Sequence, residues 1–240
     1  GPIRVCFSPD EEVGRGTEHF NYDLFKVDFA YTIDGDKPNG LEYENFNAAG
    51  ATIRIQGRNV HPGTAKGKMK NAILIGMELN SRLPEDQRPE YTSGYEGFFH
   101  LISFKGEVET ATFSYIIRDH DMDLYEQKKA YMQKCVDFIN CKYGEGTALL
   151  EMKHQYYNMR KEVEPHMHIV EKAKKAMEME GIVPKIQPIR GCTDGANLSF
   201  MGLPCPNIFA GGHNFHGRYE YVPVESMEKI VELLLRIATA

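Results

Sequence analysis

Gly50-Ala51-Thr52-Ile53-Arg54-Ile55-Gln56 alternates strictly between two kinds of side chain, Ala51, Ile53 and Ile55 on one side and Thr52, Arg54 and Gln56 on the other. Successive side chains of a strand point to opposite faces, so the stretch predicts a strand with one face buried and one wet. Downstream the period changes. Met69, Ala72, Ile73, Gly76, Leu79 and Leu83 recur at helical spacing, and the pattern stops before Pro84. Two further strand-like runs, 98–104 and 108–117, flank Lys105-Gly106-Glu107 as a hairpin, and the second repeats the alternation through Ala111, Phe113, Tyr115 and Ile117. A long amphipathic segment runs from Asp121 through Leu124, Tyr131, Cys135, Phe138 and Ile139 to Gly144, and a strand is expected at 147–157. The resulting order, βαββαβ, is that of the split ferredoxin-like unit.

On both sides of this module short strands and helices alternate. Residues 3–7 and Phe29-Ala30-Tyr31-Thr32-Ile33 read as short buried strands, the second closed by the turn-rich stretch from Asp34 to Gly40. A helix is expected at 166–180 through Ile169, Val170, Ala173, Ala176 and Met177, then a strand at 206–210, then a helix at 224–238 through Met227, Ile230, Val231, Leu234 and Ala238. The pattern predicts an α/β layer. Its simplest organisation is a discontinuous domain, 1–45 with 158–240, interrupted by a self-contained module at 46–157.

The 240 residues are 42% hydrophobic and 26% charged, the composition of an ordinary globular protein, and the net charge of −6 argues against nucleic acid as a partner. No apolar run approaches the roughly 18 to 20 residues of a membrane span, and no signal peptide opens the chain, which points away from membranes and to the cytoplasm. Cys6, Cys135, Cys141, Cys192 and Cys205 are odd in number and lack C-x-x-C spacing, so they read as reduced, mostly core residues. Asn197-Leu198-Ser199 fits a glycosylation pattern that matters only in a secreted chain. There is no His-Glu-x-x-His, no Gly-x-Ser-x-Gly and no phosphate-binding glycine loop.

Ser8-Pro9-Asp10-Glu11-Glu12-Val13-Gly14-Arg15-Gly16 sets three acids together where a strand is expected to end. On an extended backbone Glu11 and Glu12 point in opposite directions, so one is free to face a cation and the other a water. Asp34 ends the other early strand, and ligands of α/β sheets gather beyond the carboxyl ends of strands. The imidazole candidates, His213 and His216, follow the strand expected at 206–210. Carboxylates with imidazole suit zinc, manganese or cobalt, and a divalent ion reverses the repulsion among the acids. Plainer readings stand beside this one: a solvated acidic turn, a turn signal at Asp34-Gly35, capping or core roles for His213 and His216, and a structural histidine at His61.

Five stretches occur here in a fixed order: Ser8–Gly14 (SPDEEVG), Tyr31–Gly35 (YTIDG), Gly57–Lys66 (GRNVHPGTAK), Arg190–Gly195 (RGCTDG) and Asn214–Gly217 (NFHG). Through them essentially the whole chain resembles the dinuclear-zinc exopeptidase and deacylase family with an inserted lid domain, and the tripeptide aminopeptidases within it. The resemblance implies an α/β catalytic layer carrying a ferredoxin-like lid. It implies release of the N-terminal residue from tripeptides by attack of a metal-bound water, with two zinc ions per complete site.

By the same resemblance Glu11 is the general base, Glu12 a ligand of one zinc, Asp34 a ligand of the other and His216 the C-terminal histidine ligand. His61 and Arg118 match lid residues that reach the short peptide substrate, His61 from the opposite subunit of family dimers, which leaves room for a homodimer through the lid. Family members also carry an N-terminal segment with a His-x-Asp motif and the aspartate that bridges the metals. This chain, which begins Gly1-Pro2 without an initiator methionine, contains neither, so the resemblance implies the C-terminal part of such an enzyme and a half-site. Two other functions fit the same residues: an acyl-amino-acid deacylase or dipeptidase of the family, and a non-catalytic dimerisation piece with vestigial acidic loops.

Overall fold

The computed structural model describes residues 2–36 and 38–239. Lys37, within the turn expected after Asp34, lies outside them, as do Gly1 and Ala240. In chain order α1 (Tyr22–Phe25) precedes β1 (Thr32–Ile33) and β2 (Gly40–Glu42). Next come β3 (Asn47–Gln56), α2 (Ala72–Asn80), β4 (Phe98–Gly106), β5 (Thr110–Asp119), α3 (Met122–Tyr143) and β6 (Ala148–Tyr156). The chain finishes with α4 (Arg160–Val163), α5 (Met167–Met179), β7 (Lys185–Ile186), α6 (Asp194–Phe200), β8 (Asn207–Ile208) and α7 (Val224–Thr239). Two compact units result, Phe46–Tyr156 and the two-part remainder, Gly1–Asn45 with Tyr157–Ala240.

In the unit Phe46–Tyr156 the sheet order is β4-β5-β3-β6 and every pairing is antiparallel. The alternating strand lies at its centre, with Ala51 opposite Tyr115, Ile53 opposite Phe113 and Ile55 opposite Ala111. These six side chains are buried on the face that α2 and α3 cover through Ile75, Leu79, Tyr125, Met132, Val136 and Ile139. Burying an Ile of this kind stabilises a fold by about 1.5 to 3 kcal/mol. Both helices begin at side-chain caps: Asn71 Oδ1 accepts from the amides of Ile73 and Leu74, and Asp121 Oδ1 accepts from that of Leu124. The cap at Asn71 moves the first helix later than its apolar period implied, leaving Met69 in the preceding turn, and the helix ends at Asn80 rather than Leu83.

In the other unit the sheet order is β1-β8-β2-β7, with β1 parallel to β8, β2 antiparallel to β8 and β2 parallel to β7. Leu41, Ile208 and Phe209 pack with Ile169, Val170, Ala173 and Met177 of α5 and with Ile230, Leu233 and Ile237 of α7. The strand expected at 3–7 does not form: these residues have no strand partner among the described residues, and Ile3, Val5 and Phe7 are 68%, 74% and 92% exposed. An apolar run becomes a strand only when a neighbour pairs its backbone. The expected strand at 29–33 shortens to β1, which pairs with β8 through Thr32 and Ile33: the amide of Ala30 still donates to the carbonyl of Pro204 at 3.0 Å, but Pro206 has no N–H with which to continue the ladder. Of the cysteines, Cys135 and Cys205 are buried, Cys192 is half-buried, and Cys6 and Cys141 are exposed, so the mostly-core reading holds for two of five.

Candidate active site

Glu11 and Glu12 sit not at a strand end but on a single 3-10 turn, Glu11–Val13. The turn is entered through Asp10 at φ 63° and left through Gly14 at φ 73°, and the carbonyl of Asp10 accepts from the amides of both Val13 and Arg15. Successive residues of such a turn are rotated by about 120°, so the two glutamates still diverge, for a different reason from the extended backbone expected. Glu11 is half-buried and Glu12 is exposed.

Asp34 directly follows β1, where its amide donates to the carbonyl of Ile208 at 3.0 Å. A buried polar network holds that corner. Asn207 of β8 donates from Nδ2 to the carbonyl of Asp34 and, at 2.7 Å, to Glu42 Oε2, while its Oδ1 accepts from Thr32 Oγ1 at 2.8 Å. Asp194, the first residue of α6, is buried and accepts from Ser8 Oγ at 2.7 Å. His216 lies on the loop after β8 with φ 60°, its amide donating to Glu220 Oε2 at 2.8 Å and its Nδ1 standing 3.6 Å from Glu12 Oε2. His213 turns aside to stack on Tyr221, ring centroids 5.0 Å apart.

The carboxylates feel one another. Burial, with the charges of Asp34, Asp194 and Glu12 added, lifts the Glu11 carboxyl to about 7, against a smaller opposing pull from His216. Asp34 is raised as well, first by burial and then by Glu12 and Asp194, while a hydrogen bond at the Gly35 backbone and the charge of His216 pull it down. Glu11, Glu12, Asp34 and His216 are thus brought into one electrostatic neighbourhood. Carboxylate and imidazole are the donor types that a zinc-like ion takes. Their arrangement is a pair, Glu12 with His216: among the described residues no group of three His, Cys, Asp or Glu side chains converges closely enough to hold a metal ion.

His61 and Arg118 belong to the unit Phe46–Tyr156. His61 is exposed on the loop after β3, where its Nδ1 accepts from the amide of Gly63 at 3.1 Å and caps the turn Pro62–Thr64. Arg118, near the end of β5, is buried; its Nη1 donates to the carbonyls of Ala49 and Ile117, and its guanidinium stands 5.2 Å over the Tyr156 ring. Asp194, Asn207 and Glu42 are the site residues that sequence reasoning assigned no role. Asp194 had a signal, its place in the Arg190–Gly195 stretch; the other two had none.

The model of the peptidase dimerisation domain matches residues 43–147. Peptidase T of Caldanaerobacter subterraneus subsp. tengcongensis is 60% identical to this chain over 237 residues, covering 99% of the chain and 58% of that protein. Among solved structures, the aminopeptidase PepT of Bacillus cereus superposes with a TM-score of 0.80 at 22% identity, covering 96% of this chain and 62% of that one. A dinuclear metal binding peptidase of Bacillus subtilis superposes with a TM-score of 0.68 at 12% identity, covering 97% and 63%. These two likenesses show a shared mixed α/β fold. Nearly the whole chain is thus similar to peptidase T, and it spans 58% of that relative's length.

Proposed function

We propose that the chain carries the general base and part of the metal set of a metal-dependent aminopeptidase that releases the N-terminal residue from tripeptides. The observation that carries this reading is Glu11, half-buried among Asp34, Asp194 and Glu12, with its carboxyl lifted to about 7. A carboxyl poised near neutrality is suited to take a proton from water and give it back. Glu12, Asp34 and His216 are the residues assigned to zinc, two ions per complete site, which when bound supply Lewis acidity to the attacking water and the scissile carbonyl. Glu11 takes the water's proton and hands it to the leaving amine.

The unit Phe46–Tyr156 is read as a ferredoxin-like lid inserted into the catalytic layer and as the surface of a homodimer. Its strand order and its overlap with the peptidase dimerisation domain support that reading. Arg118 brings a planar guanidinium suited to a peptide carboxylate, and His61 reaches substrate across the dimer. A chimera in which this chain replaces the matching stretch of the Caldanaerobacter peptidase T tests the function. Cleavage of Ala-Ala-Ala, lost in Glu11→Gln with metal content unchanged, is the expected result. Turnover of N-acetylated amino acids in preference to the tripeptide would instead favour a deacylase.

A further inference from the structure

We propose that Asp194 is a positioning residue that clasps the two ends of the loop bearing Glu11 and Glu12. The proposal takes that turn as the catalytic segment of the function above, and it stands on contacts at both ends of the loop. At the start, Ser8 Oγ donates to Asp194 Oδ2 at 2.7 Å. At the end, Gly16 lies so close that a β-carbon placed on it would fall inside contact distance of both Asp194 carboxylate oxygens, so a larger residue there would have to displace that carboxylate. The middle of the loop, by contrast, bonds its backbone through the carbonyl of Asp10 and the amides of Val13 and Arg15, and the outward ties of its side chains, Glu12 to His216 and Arg15 to Glu18, are between exposed groups.

The anchor is firm where the loop is not. Asp194 is 8% exposed and opens α6, in which Ala196 is fully buried. Ser199 Oγ of the same helix donates to the carbonyl of Gly195 and accepts from the amide of Cys205. One buried carboxylate on a packed helix therefore fixes both where the acidic loop begins and where it ends, and with them the directions of Glu11 and Glu12.

A second explanation of the buried acid is favourable charge at the first turn of α6. The two separate experimentally because Ser8 and Gly16 touch the clasp without belonging to the helix. Arg15 offers trypsin a bond inside the loop, and native-state cleavage reports local opening. Cleavage after Arg15 in the 240-residue chain is followed by mass spectrometry, with the thermal unfolding midpoint measured in parallel. Ser8→Ala and Asp194→Ala are each expected to speed that cleavage roughly tenfold, as the loss of a hydrogen bond to a charged group implies. Asp194→Asn, which keeps an acceptor for Ser8, is expected to stay near the unsubstituted rate, and Gly16→Ala to open the loop by crowding. Ser8→Ala with Asp194→Ala should open it no further than Asp194→Ala alone.

If Asp194→Ala does not fold, Ser8→Ala and Gly16→Ala decide the matter. Cleavage after Arg15 unchanged in both, or as fast in Asp194→Asn as in Asp194→Ala, overturns the clasp. Should the cleavage pattern hold while the chimera hydrolyses no tripeptide, the proposed function fails and the clasp stands.

Discussion

His216 Nδ1 stands 3.6 Å from Glu12 Oε2, although the two residues lie at opposite ends of the chain and both side chains are largely exposed. An exposed pair of this kind is worth less than about 1 kcal/mol, so stability is not what it supplies. Glu12→Ala and His216→Ala are therefore expected to leave urea denaturation within about 1 kcal/mol of the unsubstituted chain while weakening zinc binding. A large loss of stability in either variant would mark the pair as structural.

Asn207 serves three partners at once, and removing it leaves the buried Glu42 to the longer 3.3 Å bond from Gln187 Nε2. Asn207→Ala is expected to destabilise the chain by about 1 to 3 kcal/mol, the cost of leaving buried polar groups unpaired. Chemical denaturation measures it, and an unchanged midpoint would show that the network around Asp34 is slack.

The crowded acids give the metal-free chain a definite pH response. Glu11 is raised from 4.5 to about 7, and Asp34 and Glu42 move in the same direction, chiefly through burial. A carboxyl whose folded pKa exceeds its unfolded one binds its proton more tightly when folded, so its contribution is complete below the unfolded value and fades as pH rises. With chelator present, the unfolding midpoint is expected to fall between about pH 4.5 and pH 7, and the fall to be smaller in Glu11→Gln. Stability that rises across this window would contradict the arrangement.

The unit Phe46–Tyr156 has its own core and complete strand partners. Expressed alone, it is expected to unfold cooperatively. Within it, Gly76→Ala would drive a methyl group into the Phe113 ring, and a loss of about 1 to 3 kcal/mol is expected from overpacking. A non-cooperative melt of the isolated unit would show that its core depends on the rest of the chain.

The elements legible in the sequence are those whose signals are local. The alternation from Ala51 to Ile55 marked β3, and Asp121 and Gly144 bracketed α3. Segments whose structure depends on distant partners were not legible. Residues 3–7 are as apolar as a strand but have no strand partner among the described residues, whereas β2 and β7, three and two residues long, are defined by pairing, β2 with β7 and β8 and β7 with β2. In the site, adjacency made Glu11 and Glu12 visible, but the turn that separates them was not, because it depends on Asp10 adopting a left-handed conformation. Asp194 stands in the Arg190–Gly195 stretch with no local sign of a role, because its neighbours Ser8 and Gly16 are far away along the chain.

Calorimetric titration of the 240-residue chain with zinc tests most directly whether the acids and His216 form a metal half-site. Glu12, Asp34 and His216 are fewer donors than two catalytic zinc ions take at about three protein ligands each, and no three of the described side chains already converge. A weak zinc event is expected, abolished by Glu12→Ala or His216→Ala and retained by Glu11→Gln. Two tight sites, or binding indifferent to Glu12 and His216, would contradict the account.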